Sequence, residues 1–89
     1  MEERILKIQN KLGLHARAAA LFVKTANQFA SELTIEKDGV EVNGKSIMGI
    51  MMLAAARGTE VVIRAQGTDE GEAADRLAGL VADKFNEEA

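Results

Sequence analysis

The 89-residue chain has no cysteine, no proline, no tryptophan and no tyrosine. Without cysteine, neither a disulfide framework nor a thiolate metal site is open to it. Without proline, low-complexity segments or repeats, nothing marks an internal boundary, and residues 1–89 read as one domain. Aromatic residues are 3% of the chain against 47% hydrophobic, so the core must be aliphatic, with three Phe. A single histidine among scattered carboxylates argues against a dedicated zinc site, and no metal is expected. No apolar run is long enough to span a bilayer, and the start Met1-Glu2-Glu3-Arg4 lacks signal-peptide architecture. The expectation is a cytoplasmic protein with no direct membrane insertion. A net charge of −3 argues against a nucleic-acid partner.

The residues present show clear periodicities. Residues 4–8 read as a first strand. Residues 16–29 read as a helix whose apolar face is Ala19, Phe22, Val23, Ala26 and Phe29. Arg17, Lys24, Asn27 and Gln28 fall on the opposite face, and Leu21 falls there too as an exposed apolar residue. Asp38-Gly39 between residues 33–37 and 40–43 is a hairpin signal. Asn43-Gly44 then turns the chain away, and Ser46 precedes a short helix over 47–53. Residues 60–66 form a strand. Thr68 or Asp69 caps a last helix running to about Phe85, with Ala74, Leu77, Leu80 and Val81 as its buried stripe. The order β-α-β-β-α-β-α predicts an α+β open-faced sandwich. Its four-stranded antiparallel sheet is covered on one face by three helices.

The lone histidine, His15, sits where the first helix begins, in Leu12-Gly13-Leu14-His15-Ala16-Arg17. The first N–H groups of a helix have no intrahelical acceptor and form an anion site. Arg17 adds a fixed charge and a donor fork suited to phosphate oxygens. A titratable nucleophile beside an anion cradle is what a transient phosphohistidine needs. The plain alternative is an incidental surface or core histidine. His is a poor helix cap, however, which leaves it without an obvious structural purpose. The glycines lack phosphate-loop spacing, and no Ser-His-Asp or carboxylate-pair arrangement stands out. An independent substrate-turning enzyme therefore has weak support, and no cofactor is expected.

The short helix Ile47-Met48-Gly49-Ile50-Met51-Met52-Leu53 is apolar nearly all round. If Ile50 and Leu53 face the sheet, Ile47, Met48 and Met51 point elsewhere, and a methionine surface suits adaptable docking. Leu21 could extend the patch, with Arg17, Lys24 and Lys45 as a basic rim for an acidic partner. Packing beneath neighbouring loops is the plain alternative. Ser46 is first of all a good N-cap. A phosphate there would be tolerated by the helix and would place a negative charge beside the patch.

Two segments together resemble a known family. Asn10-Lys11-Leu12-Gly13-Leu14-His15-Ala16-Arg17 resembles the active-site motif of HPr, the histidine phosphocarriers of the bacterial phosphotransferase system. Lys45-Ser46-Ile47-Met48-Gly49-Ile50-Met51 resembles that family's regulatory serine motif. The resemblance implies that enzyme I passes a phosphoryl group to Nδ1 of His15, which hands it to a histidine of an enzyme IIA domain. It implies charge neutralisation by Arg17 and donation from the backbone N–H groups of Ala16 and Arg17. It also implies modification of Ser46 by an HPr kinase/phosphorylase in some bacteria, a transcriptional regulator as a further partner, and a monomer in sugar uptake or regulation. The alternative within the same fold is a regulatory binding protein acting through phospho-Ser46 and the docking patch. An interaction module with an incidental His15 is a third reading.

One residue departs from the family pattern. Ala18 stands where a proline usually follows the active-site arginine. Proline in a first helical turn fixes φ and removes an unpaired donor. Restoring it by Ala18→Pro is expected to change the hydrolysis rate of the phosphorylated histidine. Indistinguishable rates for the two proteins would show that position 18 has no such role.

Overall fold

Strand burial alternates along the chain, as a sheet with one dry face requires. In β4 (Glu60–Gln66), Val61, Ile63 and Ala65 are buried while Glu60 and Gln66 are exposed. The protein is described by a computed structural model covering residues 1–87. Its other strands are β1 (Glu2–Lys7), β2 (Glu32–Lys37) and β3 (Val40–Asn43). The sheet order is β1-β4-β2-β3, with every neighbouring pair antiparallel. The helices α1 (Ala16–Ala26), α2 (Ile47–Met52) and α3 (Glu70–Ala82) complete the open-faced α+β sandwich that the element order predicts. The hairpin turn has φ of +52° at Asp38 and +82° at Gly39, the positive pair that a two-residue turn of this kind uses.

The core holds Phe22, Ile35, Ile50, Ile63 and Leu77 with no measurable exposure. The expected α1 face, Ala19, Phe22, Val23, Ala26 and Phe29, is buried throughout. Leu21 differs from the expectation: it is half-buried and packs against the core rather than standing free. On α3, Ala73, Ala74, Leu77 and Val81 are buried, and Leu80 is half-buried against them. The opposite sheet face carries polar side chains bridged by Arg64. Its guanidinium bonds Glu3 at 2.8 Å, Glu36 at 2.6 Å and Glu41 at 3.0 Å, which ties β1, β2 and β3 to β4.

Element ends shift for local reasons. β1 runs over Glu2–Lys7 rather than 4–8. α1 ends at Ala26 instead of 29, because Gln28 N bonds Thr25 O and Phe29 N bonds Ala26 O, tightening the last turn. α3 stops at Ala82, and Lys84, Phe85 and Asn86 take φ of +56°, +55° and +62°, a left-handed turn that no continuing helix could contain. Phe85 is nonetheless buried at 3% exposure and fastens this turn to the core.

Asp69 occupies the N-cap position of α3 but makes no side-chain cap bond. Its carboxylate instead accepts from Ala30 N at 2.8 Å, from Ser31 N at 2.9 Å and from the Ser31 hydroxyl. Asp69 thereby pins the α1–β2 connection to the start of α3. The Ser31 hydroxyl, followed by the Ala30 amide, holds the Asp69 carboxyl below the ordinary carboxylate range. A depressed native value contributes stability above the ordinary value, and that contribution is lost as pH falls through the native one. Asp69→Ala is therefore expected to lower thermal stability at neutral pH, and the gap to the wild type should close on acidification. A gap that stays constant from neutral to acidic pH in paired melts would contradict this.

Candidate functional site

The chain reaches α1 through a loop laid tightly on the segment before β4. Ile8 N donates to Thr59 O at 2.9 Å, Gly58 N to Ile8 O at 2.7 Å, and Leu14 N to Ala55 O at 2.9 Å. Gly13 has φ of +66°, and a Cβ there would lie 2.4 Å from Ala55 O, so glycine is needed for both conformation and space. This loop delivers His15 to the N-cap of α1 in extended geometry, φ −74° and ψ 179°, with no side-chain cap bond. His15 O receives Ala19 N at 2.8 Å, the first bond of the helix. The N–H groups of Ala16, Arg17 and Ala18 therefore have no acceptor within the helix.

The His15 ring is 27% exposed and the Arg17 side chain 75% exposed. Both meet a residue from the far end of the chain. His15 Nε2–H donates to Glu87 Oε2 at 2.5 Å, and an Arg17 terminal nitrogen lies 3.3 Å from the same oxygen. Asn10 Nδ2 donates to Glu87 Oε1 at 3.0 Å and to Gly13 O at 2.7 Å. Asn10 is fully buried, and its Oδ1 has no hydrogen-bond partner among the described residues. The Glu87 side chain is only 7% exposed. The Asn10 amide above all, and then His15 and Arg17, hold its carboxyl below the ordinary range.

Asn10 and Glu87 are the members of this cluster that sequence reasoning did not single out. Asn10 lies within the segment that carries the family resemblance, yet nothing in its type announced burial. Glu87 stands in a charged end segment that reads as solvated surface. Only the left-handed turn at 84–86 brings it back to α1.

The second segment also takes a defined form. Ser46 caps α2, its Oγ accepting from Gly49 N at 3.0 Å, and Lys37 Nζ donates to Leu53 O at 3.0 Å at the other end. Ile50 and Leu53 are buried, while Ile47 and Met51 are exposed, as are Met48 at 75% and Met52 at 78%. Met52 was absent from the sequence-derived patch. Lys24 is exposed, whereas the Lys45 ammonium is engaged by Phe29 O at 2.8 Å. α2 packs against α1, so the exposed methionines adjoin the helix that His15 heads.

A one-sided sandwich with a histidine and an arginine at the open N-terminus of its first helix defines a class of small histidine phosphocarrier domains. The family model described as "PTS HPr component phosphorylation site" matches residues 2–83. The chain is 51% identical over 87 residues to the phosphocarrier protein HPr of Neisseria meningitidis, covering 98% of each. It is 51% identical over 84 residues to the HPr-like protein Crh of Bacillus subtilis, covering 94% of this chain and 99% of Crh. A crystal structure of HPr from Thermoanaerobacter tengcongensis superposes with a TM-score of 0.96 at 52% identity, over the full length of both chains. The chain belongs to the HPr family, the phosphocarriers of the phosphotransferase system. Among the described residues no helix is long and apolar enough to cross a membrane.

Gly13→Ala is expected to destabilise the protein by roughly 2–4 kcal/mol, from left-handed strain and overpacking combined. It should also displace the loop that places His15. Denaturant unfolding together with the His15 ring resonances checks this; unchanged stability and unchanged resonances would contradict the role given to the Gly13–Ala55 approach.

Proposed function

We propose that this chain accepts a phosphoryl group on His15 from phospho-enzyme I and passes it to a histidine of an enzyme IIA domain. The observation that carries this reading is the partly exposed imidazole at the open N-terminus of α1 with Arg17 beside it. In phosphoryl transfer, positioning and charge stabilisation dominate the chemistry. The N–H groups of Ala16 and Arg17 offer donors to the phosphoryl oxygens, and the exposed Arg17 fork exchanges Glu87 for them. The protein is a carrier with a transient covalent phosphohistidine, not an independent catalyst.

Docking uses the exposed Ile47, Met48 and Met51 with Leu21 at the edge and Lys24 and Lys45 among the charged groups of the rim. Enzyme I and enzyme IIA domains share this surface. Ser46 serves as a second modification site for an HPr kinase/phosphorylase. Phosphate there leaves the cap geometry tolerable and changes the charge beside Ile47 and Met48, repelling acidic partners and recruiting a transcriptional regulator. One monomeric, cytoplasmic domain carries both sites.

Incubation with enzyme I and radiolabelled phosphoenolpyruvate is expected to give acid-labile, alkali-stable label that is absent from His15→Ala and retained in Ser46→Ala. Failure to label with an enzyme I active on another carrier would overturn the carrier reading. ATP-dependent labelling confined to Ser46 would then favour the regulator.

A further inference from the structure

We infer that Glu87 is a positioning residue for the His15 imidazole, holding the proton on Nε2 so that Nδ1 presents the lone pair that takes the phosphoryl group. The inference rests on the carrier reading and names how its nucleophile is prepared. The two nitrogens of a neutral imidazole play opposite roles, and the hydrogen bond made by one decides what the other can do. Here the carboxylate of Glu87 accepts at 2.5 Å from Nε2, and Nδ1 has no hydrogen-bond partner among the described residues. A carboxylate can only accept, so the proton belongs to Nε2.

The surroundings of Glu87 are those of a held group rather than a passing surface carboxylate. Its side chain is 7% exposed, and its second oxygen is bonded by the fully buried Asn10, which is itself tied to Gly13 O. Three consecutive non-glycine residues adopt the left-handed conformation to return the chain to this point. Such strain persists only where the surrounding structure over-determines it, here through buried Phe85.

During transfer the Nδ1 lone pair forms the new N–P bond. The N–P bond of the donor phosphohistidine breaks, and its electron pair returns to the donor nitrogen. The proton stays on Nε2, so positive charge develops on the His15 ring and Glu87 lies against it. The reverse transfer discharges the ring with the same proton in place. Glu87 thus serves both directions, acting through His15 and not on the phosphoryl group. Arg17, in contact with the same oxygen of Glu87, is released toward the incoming phosphoryl oxygens as the ring takes over the carboxylate's charge.

The test uses phosphoramidate as the phosphoryl donor, which needs no protein docking, on the full chain with isotope-labelled histidine. In alkaline buffer the wild type should show a downfield Nε2–H resonance that exchanges slowly with water. Glu87→Ala should lose that resonance and accept phosphate at Nδ1 about tenfold more slowly, the scale of one charge-assisted hydrogen bond. Glu87→Asp should recover part of both, and Glu87→Gln should keep the resonance while losing the rate, because it keeps an acceptor without the charge. A purely structural role would lower the melting temperature without this split between Gln and Ala. Labelling of the wild type with an unchanged rate in Glu87→Ala overturns this inference alone. A wild type that takes no phosphoryl group from phosphoramidate or enzyme I overturns the carrier reading and the inference with it.

Discussion

The His15 end of the molecule depends on one close approach, the backbone of Gly13 against the carbonyl of Ala55. Leu14 N bonds that carbonyl at 2.9 Å, and a side chain on Gly13 would collide with it at 2.4 Å. The contact fixes the loop before α1 to the segment before β4, so the start of the helix is set by the sheet and not by a cap. Behind His15 the chain is fully engaged, with Ile8, Leu14 and Ala18 all buried. In front of it the first helical amides lack intrahelical acceptors. Rigid backing with an open front gives a site that can receive an anion without rearranging its own backbone.

The end of the chain completes that front. Phe85 supplies burial, and the left-handed turn around it redirects the chain so that Glu87 reaches His15, Arg17 and Asn10. Each left-handed residue costs roughly 1–2 kcal/mol, so the turn is stable only because the packing of Phe85 and the bonds to Glu87 offset it. Charge and strain are therefore linked: the carboxylate that balances the positive end of α1 also holds the strained turn in place.

The one-sided sheet governs the rest of the surface. Because all helices lie on a single face, α2 can bury Ile50 and Leu53 and still leave its methionines outside. A helix this short would be marginal alone. Ser46 holds its first turn and Lys37 its last carbonyls, so an adaptable apolar surface is displayed on a fixed frame. On the other face, Arg64 bonds carboxylates from three strands and ties them into one charged network beside the exposed Ile5.

The element order, the one-sided burial of the strands, the apolar face of α1, the hairpin at Asp38-Gly39 and the cap at Ser46 were legible in the sequence. Each follows from a local period or a residue type suited to one backbone position. The placement of His15 and Arg17 at the start of α1 was legible for the same reason, since a helix start is a local event. The strand order β1-β4-β2-β3, the half-burial of Leu21, the diversion of Asp69 from cap to staple and the engagement of Lys45 by Phe29 were not. Glu87 is the sharpest case, meeting His15 across 72 positions of chain. By itself the sequence determined which residues prefer a helix, a strand, a turn or the interior, because these preferences act over a few residues. Which side chains meet across the fold was decided only by tertiary packing, which brings distant carboxylates to donors that no local pattern connects to them.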